Sequence, residues 1–144
     1  VGECGEPPRI LAAVSVSELA EKYGVRSVSL VIVATVFQTA LLEHWCRSDF
    51  AKKIIGDLVW ARGVSERAYE LAYLLYATTA VSFCRSEHRG DCVCKKLDEA
   101  LKKLGALSKM GVVRSGVEDL DADRALLKHL NDELKKEVAG KKAT

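Results

Sequence analysis

Cys84, His88, Cys92 and Cys94 read C-x3-H-x3-C-x-C, the densest run of chemically capable side chains in the sequence. Three thiols and one imidazole are enough ligands for tetrahedral zinc, with Cys84 and His88 one helical turn apart on a shared face. The spacing nevertheless lacks the C-x2-4-C pair on which common zinc sites are built. A competing reading needs only two of the four residues. It is a disulfide from Cys84 to either Cys92 or Cys94, pinning two helices where they meet, and it is favoured over a metal site. Cys4 is a candidate partner for Cys46, and five cysteines leave at least one thiol unpaired or joined between chains.

A second pattern is electrostatic. Residues 85–114 hold eight basic side chains (Arg85, Arg89, Lys95, Lys96, Lys102, Lys103, Lys109, Arg114) against four acidic ones (Glu87, Asp91, Asp98, Glu99), leaving +4 where the whole chain carries +2. Lys95, Lys102 and Lys109 recur every seven residues and share a helical face, as do Lys96 and Lys103. Such rows can hold successive phosphates by charge alone, without reading bases. Lys52 and Lys53 extend the surface if their helix lies alongside, and Arg47, Arg62 and Arg67 are further candidates. Catalysis has no comparable signal: His44, His88 and His129 fall on separate predicted helices, and no nucleophile elbow, P-loop or dinucleotide fingerprint occurs. A non-enzymatic protein without a cofactor is expected.

The element that must position these groups is Ser27 to Cys46, uncharged from Ser27 through Leu42 and apolar around the whole helix. A helix of that kind should be buried on all sides. Its uncharged run is shorter than the roughly 20 apolar residues of a bilayer span, so no membrane crossing is expected. Before it, VGECGEPPRILAA reads as an extended arm, and Ser15 with Glu18 opens a short helix stopped by Gly24. After it, Ser48 opens a third helix with an apolar stripe of Phe50, Ile54, Ile55, Leu58 and Val59. Gly56 within it permits close approach, and Gly63 ends it. Ser65 caps a fourth helix reaching about Glu87, with Tyr69, Tyr73 and Tyr76 along one flank at the edge of the core. Asp91 caps a fifth through Lys109, turning Leu97, Leu101, Leu104 and Leu107 inward. Ser115 and Glu118 start a last helix whose narrow seam is Leu120, Leu127 and Leu134, with Leu130 and Val138 beside it. The expectation is an all-α, single-domain bundle of about six helices over 15–140, with an arm at 1–14 and a polar tail at 141–144.

The chain has one Asn (Asn131) and one Gln (Gln38), with Lys, Arg and Glu filling polar positions. That depletion, together with cysteines read as oxidised, is the signature of proteins working in hot environments. Nothing at the start reads as a secretory signal. In overall layout (the arm VGECGEPPRILAA, the long apolar helix from Ser27 to Cys46 and the basic helices after it) the chain resembles the small α-helical major capsid proteins of filamentous viruses infecting hyperthermophilic archaea, of the tristromavirus type. The resemblance implies a structural protein of the virion that assembles with itself and with a related capsid protein, coating double-stranded DNA without sequence preference. The alternatives are a small helical subunit of an archaeal ribonucleoprotein, such as a CRISPR effector, and a helical interaction module of the archaeal cytoplasm.

Overall fold

The computed structural model describes residues 15–86, 88–110 and 124–143. The expected arm, including Cys4, and the cap at Ser115 with Glu118 and Leu120 lie outside the described residues.

Local capping chemistry lays out the first four helices as the sequence predicts. Each begins with a serine in extended backbone whose Oγ accepts an orphan N–H three residues on: Ser15 from Glu18 for α1 (Val16–Tyr23), Ser27 from Leu30 for α2 (Val28–His44), Ser48 from Ala51 for α3 (Asp49–Val64) and Ser65 from Ala68 for α4 (Glu66–Thr78). Gly24, at φ 78°, closes α1 in the left-handed region that other residues avoid. Gly63 does not end α3. The helix runs one residue further, and Ser65 both terminates α3 through its N–H to Ala61 and starts α4.

The single helix expected from Ser65 to about Glu87 is two. α5 (Ala80–Ser86) follows a break at Thr79, whose φ and ψ of −98° and 7° leave the helical region. Thr78 and Thr79 together explain it. Their hydroxyls donate back to carbonyls, Thr78 Oγ1 to Leu74 at 2.8 Å and Thr79 Oγ1 to Leu75 at 2.6 Å, a competition that bends helices. With α6 (Cys92–Lys109) and α7 (Arg124–Ala143), the described residues form seven helices and no strand. α7 continues to Ala143, through the stretch expected to be a polar tail.

Two helices share the centre. α2 packs against α1, α3, α4, α5 and α6, while α4 packs against α1, α2, α3, α5 and α7. Leu30, Val33, Phe37 and Leu41 of α2 meet Tyr69, Leu71, Tyr73 and Leu74 of α4 in one core with Ile55 and Leu58 of α3. Fully burying each such side chain contributes about 1.5–3 kcal/mol. The tyrosines go deeper than a core edge: Tyr69 and Tyr73 are buried and meet edge-on at 5.8 Å. Burial pushes the Tyr69 phenol up to about 12; burial and then a 2.8 Å hydrogen bond donated to Asp57 do the same for Tyr76.

α2 is not covered on all sides. Val28 is 55% exposed, and Thr35 and Thr39 on the same outward face are also exposed, their hydroxyls satisfied by the carbonyls of Val31 and Thr35. The uncharged composition reflects burial of one broad face and threonines that satisfy themselves on the other. Val59 and Leu107, expected to face inward, are exposed, and Gly56 faces open space. Among the described residues no single helix is long and apolar enough to cross a membrane. α2 and α3 together have the hydropathy, but the chain turns by 108° between them.

Candidate nucleic-acid interface

The C-x3-H-x3-C-x-C run spans the junction of α5 and α6, and the structure chooses within it. Cys84 and Cys94 lie at disulfide distance, Sγ to Sγ 2.09 Å with Cα atoms 5.3 Å apart. Cys92 stands outside the bond and half-buried; Cys46, in the turn between α2 and α3, is exposed. The His88 ring stacks on Phe50 at 4.1 Å with 16° between planes. Among the described residues no group of three or more His, Cys, Asp or Glu is arranged to hold a metal. Cys94 wins over Cys92 through helix geometry: as the third residue of α6 it shares the buried face with Val93 and Leu97, whereas Cys92 lies off that face and is only half-buried.

The start of α6 is fixed a second time. Asp91 Oδ1 accepts the Val93 N–H at 2.9 Å, capping α6, and also accepts a 2.7 Å hydrogen bond from Ser48 Oγ, the cap of α3. Ser48 is wholly buried and itself accepts from Ala51 N at 2.9 Å. Two helix starts are therefore locked cap to cap. Lys52 lies one turn beyond this joint on α3, with Lys53 beside it. Lys95 lies one turn beyond it on α6, followed by Lys96.

From there α6 lies on α2 with Val93, Leu97 and Leu104 buried and Leu101 partly so. Lys95, Lys96, Lys102, Lys103 and Lys109 are all exposed on its other faces, as are Arg85 on α5 and Arg89 in the turn. Lys102 pairs with Asp98 at 3.4 Å, both side chains largely exposed. The other six have no ion pair with a described residue. Lys52 and Lys53 are exposed as well.

Arg62 and Arg67 do not join this surface. Arg62 reaches Glu66 at 3.4 Å and covers the Tyr69 ring at 5.3 Å. Arg67 faces Glu133 at 3.3 Å and Glu137 at 3.9 Å, both on α7. Glu137 also accepts a 2.8 Å hydrogen bond from Ser65 Oγ. Their positive charge is used in holding the bundle together.

The joints Ser48–Asp91 and Ser65–Glu137 are not legible in the sequence. Both serines are recognisable there as caps, but the second partner of each lies 43 and 72 residues away, and no local pattern announces it. Compared with family models, with curated proteins and with solved structures, the chain finds no match.

Proposed function

We propose that this protein coats nucleic acid along its phosphate backbone, in many copies and without reading sequence, as a structural protein of the nucleocapsid kind. One observation carries the reading: basic residues of the α5–α6 region stand exposed, and among the described residues only Lys102 of them has an ion pair, while Arg62 and Arg67 elsewhere are paired. Exposed lysines at helical spacing suit successive phosphates, which need positive charge and no particular orientation. A formal charge of only +2 lets copies pack side by side with little mutual repulsion. Weak binding per copy is multiplied by assembly. Duplex DNA is the favoured partner and the virion of an archaeal filamentous virus the favoured setting, on the layout resemblance described above. No catalytic role is assigned.

The test is a salt titration of binding to two unrelated duplexes and one single strand, comparing wild type with Lys96→Glu/Lys103→Glu/Lys109→Glu. Wild type is expected to favour both duplexes equally. The triple variant should weaken both alike and flatten the log-log salt dependence by roughly 0.9 for each phosphate it no longer neutralises. An unchanged slope would leave these lysines as an ordinary solvated face, and preference for the single strand would favour a ribonucleoprotein subunit.

A further inference from the structure

A groove of about 380 Å3 opens between α5 and α6, lined by Val81, Cys84, Arg85, Arg89, Cys94, Lys95, Leu97, Asp98 and Leu101. Its volume lies within the range of small-molecule sites. What sets it apart from the lysine rows is its polarity along one direction. Arg85 and Lys95 each directly follow a cysteine of the Cys84–Cys94 bridge, and Arg89 sits in the turn beyond, so the cations gather at the bridge. Leu97 and Leu101 lead away from it along α6, and Val81 lies one turn before Cys84 on α5. One acidic residue lines the groove, Asp98, and its charge is met by Lys102 at 3.4 Å. Arg85, Arg89 and Lys95 are exposed and have no ion pair with a described residue.

We propose that this groove binds a small organic anion with an aliphatic body, of which a medium-chain fatty carboxylate is the type. The carboxylate sits at the cationic end, where an arginine offers paired N–H donors matched to its two oxygens. The chain lies over the partly exposed Val81 and Leu101, removing their apolar surface from water, with the buried Leu97 as the floor beneath. The bridge fixes the two walls relative to each other, so the groove exists before the ligand arrives and little ordering is required on binding. A phosphodiester backbone satisfies only half of this site: it matches the cations and leaves the apolar wall wet. The groove shares Arg85, Arg89 and Lys95 with the proposed nucleic-acid surface, but the nucleic-acid test substitutes no residue lining the groove, so the two readings fail separately.

Isothermal titration of the full chain with dodecanoate, below its micellar concentration, tests the proposal against dodecanol, acetate and inorganic phosphate. Dodecanoate is expected to bind at one site, at least tenfold tighter than dodecanol, with acetate and phosphate weaker still. Arg85→Gln/Arg89→Gln, two exposed positions whose replacement leaves the core intact, should weaken dodecanoate at least tenfold and leave dodecanol unchanged. Lys52→Gln/Lys53→Gln, away from the groove, should change neither. Equal binding of dodecanoate and dodecanol, phosphate binding as tightly as dodecanoate, no dodecanoate binding, or full affinity in the arginine variant would each overturn it.

Discussion

α6 and α7 are both charged, amphipathic helices laid on one side of a central helix, α6 on α2 and α7 on α4, yet they use their charges in opposite ways. α6 is held by apolar and covalent means: buried Val93, Leu97 and Leu104, the Cys84–Cys94 bridge, and a cap bonded to Ser48. Its lysines play almost no part in that attachment. Among the described side chains of α7 only Leu130 is fully buried, with Leu126 and Leu134 partly buried against the core one turn to either side; Leu120 of the expected series lies outside the described residues. Its carboxylates complete the docking, Glu133 and Glu137 on Arg67 and Glu137 on Ser65. A helix anchored by apolar contacts leaves its charges out of its docking; one anchored thinly uses them in it. Counting charges therefore does not locate a binding face until the docking of each helix is known.

The comparison can be broken first at the covalent anchor. Replacing Cys84 and Cys94 together by Ser should cost about 3 kcal/mol, the loop-closure value for a bridge between residues 10 apart in sequence, read as a fall in the denaturant midpoint relative to the oxidised wild type. The reduced wild type should match the variant. A midpoint unmoved by either treatment would mean that α6 is held by its leucines alone.

A smaller effect is expected at the polar anchor of α7. Ser65→Ala removes the cap of α4 and the hydroxyl that Glu137 accepts from, at a cost of about 1–2 kcal/mol, whereas Ser65→Asp should restore the cap and still repel Glu137. Chemical denaturation of the three proteins separates the two contributions. Equal stability of Asp and wild type would show that the hydrogen bond to Glu137 contributes nothing.

The smallest effect is a pH dependence confined to α7. Lys136 first, and then the hydrogen bond from Arg67, hold the Glu133 carboxyl below its ordinary value of 4.5. A carboxyl depressed in the folded state stabilises it above pH 4.5, and that contribution is lost as pH falls through the folded-state value. Amide-exchange protection of α7, corrected for intrinsic rates, should therefore decline below about pH 4.5, while α6 retains its protection. Parallel loss in both helices would remove the distinction between them.

Much of the layout is legible from local chemistry. Ser15, Ser27, Ser48, Ser65 and Gly24 act within one turn of their own position, so their roles follow from neighbours in sequence. The break at Thr79 is masked because the apolar pattern runs through it, although the adjacent threonines that cause it stand in plain view. Val59 and Leu107 read as inward because periodicity reports an apolar face, not the width of the neighbour that covers it. At the candidate interface, the exposure of Lys95, Lys96, Lys102, Lys103 and Lys109 follows from the heptad spacing. The loss of Arg62 and Arg67 to internal pairs does not, because one of them depends on carboxylates on α7.

The sequence by itself determined an all-helical chain, where most of its helices begin, and which face of α6 carries lysine. These follow from hydrogen bonds and periodicity acting over a few residues. Only the tertiary structure decided that α4 shares the centre with α2, that Cys84 pairs with Cys94 while His88 stacks on Phe50, and that Ser48 and Ser65 each bond a distant carboxylate. Those outcomes depend on which surfaces meet across tens of residues. The many ways of packing helices of similar apolar content differ by contacts that no stretch of sequence contains.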